Sequence, residues 1–114
     1  MPKGIIQGSI WQVDLGEGDA RPCIVVSREA LNRGQLVLVV PCTTSNVQEK
    51  VRFPNHVRLV AGAAGLPRES AAMTHLVQPV ETTSLGQRFG QLSDEDLTRV
   101  LHGLAWTVDL FEHI

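Results

Sequence analysis

Two apolar runs constrain this chain more than anything else in it: "PCIVVS" at 22–27 and "QLVLVVPCTT" at 35–44. Both are continuous and rich in β-branched residues, which is the pattern of strands buried in a core. Only "REALNRG" (28–34) separates them. That link holds helix formers but is too short for a stable helix, so it reads as a single turn closed by Gly34. If the two strands pair antiparallel, the start of the first lies near the end of the second. Arg21, directly ahead of the first run, then stands beside Thr43, Thr44 and Ser45 at one rim of the sheet. A guanidinium fork next to hydroxyls suits a phosphate; a solvated rim arginine beside polar turn residues would look the same. Pro41 cannot donate to a ladder, so it is expected at an edge or at the strand's end.

The rest of the chain supplies partners for this pair. "GSIWQVDL" (8–15) reads as a strand in which Ile10, Gln12 and Asp14 alternate with Trp11, Val13 and Leu15, and "GEGD" (16–19) as a loop. "SNVQEKVRF" (45–53) reads as a loop with a possible short strand, "HVRLV" (56–60) as a strand, and 61–70 as a turn region. "SAAMTHLVQPVE" (70–81) reads as a strand interrupted before Pro79, and 82–91 as a connector with a possible helical turn. The last element, 93–111, carries Ser93 as N-cap and Asp94, Glu95 and Asp96 at the positive end of a helix dipole. Leu97, Val100, Leu101, Leu104, Ala105 and Val108 then form one apolar face. Gly103 weakens that helix by roughly 1 kcal/mol relative to alanine. Trp106 and Leu110 lie off the stripe, as partly exposed residues or as a protein contact. About five short strands followed by a helix predict a mainly β fold, a small barrel-like sheet with helical additions.

Several classes of function are disfavoured. At 114 residues the expectation is one domain, 1–114, with 43% hydrophobic and 19% charged residues. The N-terminus is too weakly apolar for a secretory signal and no run is long enough for a membrane span, so a cytoplasmic location is the default expectation. Cys23 and Cys42 read as small buried hydrophobes rather than a disulfide framework or zinc site. No phosphate-binding glycine loop and no HExxH motif is present, and His56, His75, His102 and His113 lack metal-ligand spacing, so neither cofactor nor metal is expected. Aromatic content is only 4%, too low for the usual base-stacking platforms. The net charge of −2 hides an asymmetry: residues 20–60 hold six Lys/Arg against two glutamates, while residues 91–114 hold one arginine against five acids. That permits a local basic surface on an acidic protein.

In order, "GSIWQVDL", "RPCIVVS", "LNRGQLVLVVPCTTS", "FPNHVRL", "GLPRESAA" and "LGQRFGQLSDEDL" resemble the MazF/PemK toxin family of bacterial type II toxin–antitoxin systems, over roughly residues 6–110. The resemblance implies an SH3-like small β-barrel with helical insertions and a C-terminal helix, usually a homodimer. It implies a sequence-specific, metal-independent endoribonuclease that cuts single-stranded mRNA and leaves 2′,3′-cyclic phosphate and 5′-hydroxyl ends. A cognate, MazE-like antitoxin would inhibit it by laying a tail along the RNA groove and dimer interface. Carried over residue by residue, the family's catalytic arginine matches Arg21 and its threonine Thr43, with Thr44 as fallback. Ser45 falls in the same turn, and His56 matches a groove-shaping histidine.

The chain departs from the family pattern at two places. His75 stands where many relatives have an acid, Leu76 replaces a glutamine and Gln78 an arginine, so RNA contacts in this segment are its own. The "GEGD" loop before Arg21 is also shorter than usual. In the implied reaction the 2′-hydroxyl attacks phosphorus, Arg21 holds the charge gathering on the non-bridging oxygens, and Thr43 donates to the same phosphate. His75 is a candidate acid or base. Two alternatives share the fold: a non-catalytic, CcdB-like toxin that holds DNA gyrase, suggested by Trp106, and an inactive interaction module.

Overall fold

The two apolar runs form the middle of one antiparallel sheet. A computed structural model describes residues 4–16 and 18–113. Along the chain it shows β1 (Ser9–Asp14), β2 (Ala20–Val25), α1 (Glu29–Asn32), β3 (Leu36–Thr43), α2 (Val47–Lys50), β4 (His56–Leu59), β5 (Ser70–Met73), β6 (Gln78–Glu81), β7 (Leu85–Gln91) and α3 (Asp94–Thr107). Single 3₁₀ turns lie at Ala63–Gly65, Thr74–Leu76, Thr82–Ser84 and Leu110–Glu112. The expected loop at 16–19 is seen through Gly16, Gly18 and Asp19; Glu17, like the N-terminal residues 1–3, lies outside the described residues.

The strand order is β4-β5-β3-β2-β1-β7, with β6 also paired to β3. Seven strands replace the expected five for two reasons. The 70–81 segment does break before Pro79, at a 3₁₀ turn over 74–76, but both halves then pair with β3. The supposed connector at 82–91 is mostly a strand, β7, laid along β1. Pro41 is at neither an edge nor an end. Residues 36–39 of β3 pair with β6 and residues 42–43 with β5, so the missing donor falls where β3 changes neighbours. At 47–50 the chain forms the short helix α2 rather than a strand, with Val47 buried beneath it.

Arg21 is also not ahead of its strand but inside it, opposite Val13 of β1. Both faces are covered along Cys23–Val25 of β2 and Val39–Cys42 of β3, where the sequences read as continuous apolar runs, while Leu36 and Leu38 at the start of β3 are exposed. Ile24, Val40, Cys42, Ala72, Val57 and Val100 belong to one core, together with Ile10, and Leu97, Leu101 and Leu104 of α3 pack onto it. Trp11, Val13, Cys23, Val25, Val37 and Val39 form the second core on the other face. The alternation expected in β1 therefore fails at Ile10, which is buried opposite Trp11 rather than exposed. Each fully buried Val, Leu or Ile stabilises the fold by about 1.5–3 kcal/mol.

The sheet does not close by hydrogen bonds, because β4 and β7 end the path unpaired to each other. The barrel-like closure comes from packing instead. The 3₁₀ turn after β4 abuts β7, and a Cβ on Gly90 would stand 2.5 Å from the Ala64 carbonyl oxygen. On the turn's side, a Cβ on Gly65 would overlap the Phe89 carbonyl.

Ser93 Oγ accepts from the Asp96 N–H at 3.1 Å and caps α3 as expected. The helix ends at Thr107 rather than 111, because Asp109 takes a left-handed conformation (φ 57°). Val108 is consequently 61% exposed and not part of the packed face. Gly103 is buried against β4 and its neighbours: a Cβ there would sit 3.0 Å from Val57 Cγ2 and 3.2 Å from the Pro54 oxygen. Its helix-propensity cost is thus offset by a close helix–sheet approach.

Candidate active site

The pairing of β2 with β3 matches Cys23 to Pro41, Ile24 to Val40 and Val25 to Val39. Continuing that register by two residues sets Arg21 opposite Thr43, both still within their strands. Thr43 pairs in turn with Ala71 of β5, and Ala71 with Arg58 of β4. Residues directly opposite in an antiparallel sheet project to the same face. Arg21, Thr43, Ala71 and Arg58 therefore form one row across four strands: two arginines at its ends, a hydroxyl and a methyl between.

Arg21 is half-buried. Its Nη2 and Nε both donate to Asp19 Oδ1, at 2.8 and 3.2 Å. Asp19 is placed for this by the turn, in which the Asp19 N–H donates to the Gly16 carbonyl at 2.9 Å. The ion pair is solvent-accessible, with side-chain exposures of 30% and 50%, so it holds the guanidinium only weakly. Arg21 still acts on its surroundings. Burial pushes the Cys23 thiol up to about 12, against the opposing pull of the Arg21 charge. Cys42 is raised further by complete burial. Both thiols are free and inert at neutral pH.

Thr43 is partly exposed, and its Oγ1 accepts from the Ser45 N–H at 3.2 Å. Thr44 and Ser45 are exposed beyond it, with Lys50 Nζ donating to the Ser45 carbonyl at 2.7 Å. This turn fixes the hydroxyl at the end of β3.

The histidines stand elsewhere. His56 pairs with Met73, and its ring meets that of His75 edge-on at 5.1 Å between centroids. Asn55 Nδ2 lies 2.8 Å from His75 Nδ1. Burial, then the neighbouring His75 and Lys50 charges, lower the pKa of His56, which favours its neutral form. From Thr43 to His56 is two strands across and two residues along, about 12 Å at ordinary sheet spacings. Gln78 is farther out: it pairs with Val39, four residues before Thr43, and its Nε2 donates to its neighbour's carbonyl, Leu76 O. The backbone thus gathers Arg21, Thr43, Thr44 and Ser45 and leaves His56, His75 and Gln78 outside that group. Arg58, at the far end of the row, was not singled out from the sequence; only the β4–β5 register reveals it. Among the described residues no cluster of three metal-ligating side chains exists.

Comparison with known proteins shows what the whole chain is similar to. Residues 6–108 match the family model of the PemK-like, MazF-like toxin of type II toxin–antitoxin systems. The probable endoribonuclease MazF5 of Mycobacterium tuberculosis is 32% identical over 105 residues, covering 90% of this chain and 92% of that protein. Endoribonuclease EndoA of Bacillus subtilis is 24% identical over 112 residues, 93% of this chain and 96% of its own. The fold is shared with an endoribonuclease from a mycobacterial species solved in complex with its cognate antitoxin, at a TM-score of 0.80, 24% identity and coverage of 92% and 95% of the two chains. It is shared too with a MazE–MazF structure from Deinococcus radiodurans, at a TM-score of 0.73, 19% identity and coverage of 90% and 93%.

Proposed function

We propose, for a chain that belongs to the PemK-like, MazF-like toxins of type II toxin–antitoxin systems, that Arg21 and Thr43 hold the scissile phosphate of an RNA substrate. The protein is an endoribonuclease that cleaves mRNA, and its protein partner is a cognate antitoxin. The observation that carries the assignment of residues is the β2–β3 register, which faces a permanently charged fork with a hydroxyl.

In the reaction the 2′-oxygen forms a bond to phosphorus and the bond to the 5′-oxygen breaks. Charge gathers on the non-bridging oxygens. Arg21 stays protonated at every working pH and offers parallel N–H donors to those oxygens. Asp19 holds two of these donors in the free protein, so substrate phosphate competes with a carboxylate for them. Thr43 donates its hydroxyl hydrogen to the same phosphate. His75 acts on the 2′-hydroxyl or leaving oxygen through intervening water, because its 3₁₀ turn lies four residues along the chain from Ala71, the residue opposite Thr43.

Metal independence follows from this division of labour: the charge that a metal would neutralise is carried by Arg21. A second copy of the chain covers the exposed apolar residues Trp106, at the end of α3, and Leu110 and Phe111, in the 3₁₀ turn after it. No helix among the described residues is long and apolar enough to cross a membrane; action on mRNA supports a cytoplasmic location for the protein. In excess EDTA, the wild-type protein is expected to cut single-stranded RNA and leave 2′,3′-cyclic phosphate and 5′-hydroxyl ends. Activity abolished by EDTA, or 5′-phosphate ends, would defeat this reading.

A further inference from the structure

We infer that the groove beside the phosphate pair, between α2 and residues 68–69, reads a guanine that flanks the scissile phosphate, with Gln48 and Arg68 as its specificity residues. The inference rests on the cleavage reading above.

The groove is about 450 Å³ and opens next to Thr44, the residue after Thr43. Val47, buried beneath α2, gives it an apolar floor, and Gln48, Glu49, Arg68 and Glu69 supply its polar rim. That combination, an apolar surface with a few convergent polar groups, is how small planar ligands are held.

The rim is pre-set. Arg58 Nη2 donates to Gln48 Oε1 at 2.9 Å, and Arg58 Nε faces Glu69 Oε2 at 3.7 Å. A guanidinium has donors only, so the amide oxygen of Gln48 must face it. The Gln48 NH2 group is thereby turned away, and its two hydrogens have no partner among the described residues. The Arg68 guanidinium likewise has no hydrogen bond or ion pair among them; only its backbone carbonyl is engaged, by Ser70 Oγ. Unused donors thus stand on both walls of the groove, Gln48 on α2 and Arg68 across from it, and the Glu49 carboxylate stands beside Gln48 on α2. Guanine presents adjacent acceptors, O6 and N7, that an arginine fork matches, and its ring N–H and amino group are donors that suit a carboxylate. Adenine would set its amino group against the donors, and a pyrimidine lacks N7. In single-stranded RNA these edges are free to be read.

The test is to map every cut that wild type, Gln48→Ala and Arg68→Ala make in a pool of RNA with randomised sequence. Wild type is expected to require guanine at one position directly flanking the cut. Each variant is expected to lose that preference by roughly 10–100-fold while keeping the preferences at other positions and its folding. Gln48→Glu, which replaces donors with acceptors at constant size, is expected to lose it as well. Wild-type cuts with no flanking guanine, or variants that slow every site equally, would overturn the inference and leave the cleavage reading intact. A folded wild type that makes no cuts would overturn both.

Discussion

One methyl group tests how the sheet is held closed. In Gly90→Ala the new Cβ would lie 2.5 Å from the Ala64 carbonyl oxygen and 2.8 Å from its carbon. Ordinary contacts are nearly an ångström longer, and the opposing atoms are backbone. Ala64 itself is already in a left-handed conformation (φ 50°), so its carbonyl has little freedom to rotate away. Overpacking of this kind costs about 1–3 kcal/mol. Loss of glycine's freedom in the unfolded chain returns about 0.4–1 kcal/mol. The expected net loss is about 1–2 kcal/mol, or a Tm lower by roughly 5–15 °C for a domain of this size. Gly34→Ala is the control, because its Cβ would meet only the Leu31 oxygen at 3.4 Å, an ordinary contact. Both variants and wild type would be melted at one fixed protein concentration, since self-association raises apparent stability. If Gly90→Ala melts with wild type and Gly34→Ala, then β7 and the 3₁₀ turn are not in the close contact described, and closure by packing is refuted.

Three further outcomes are expected. Asp19→Asn, which frees the Arg21 fork, should speed cleavage at subsaturating RNA by up to about fivefold, the worth of an exposed ion pair; a tenfold loss would make Asp19 a positioning residue instead. Thr43→Val keeps the shape and removes one hydrogen bond, so kcat should fall about five- to tenfold with folding unchanged. His56 has a lowered pKa in the folded protein, so the unfolded chain takes up its proton first: stability should fall as pH drops below about 6.5 and level off beneath the folded-state pKa. Urea unfolding of His56→Gln should show a flatter profile over that range, and an unchanged profile would remove His56 as the cause.

The parts of this fold that could be read from the residues are those set by local pattern. The runs at 22–27 and 35–44 announced β2 and β3 because both faces are buried over Cys23–Val25 and Val39–Cys42. Ser93 and the three acids after it announced α3. The meeting of Arg21 with Thr43 needed only the arithmetic of two strands joined by a short turn. What escaped was set by distant chain. "LGQRFGQ" looked like a connector because β7 is an edge strand with polar exposed residues, and its Gly90 answers to a carbonyl 26 residues earlier. Pro41 looked like a strand end because nothing local shows that β6 and β5 share one side of β3. The Arg58–Gln48 contact joins residues ten apart through the docking of α2 on β4 and β5, and so the groove beside Thr44 had no local signature.

The central claim is that Arg21 stabilises the reacting phosphate, and one comparison addresses it most directly. Purified wild type and Arg21→Ala would be given the same long single-stranded RNA in EDTA, with circular dichroism to verify the fold of each. The account predicts discrete cuts by wild type and a rate about 10²–10³-fold lower for the variant, the usual cost of losing one preorganised contact to developing charge. Cleavage by a folded Arg21→Ala at the wild-type rate would contradict it.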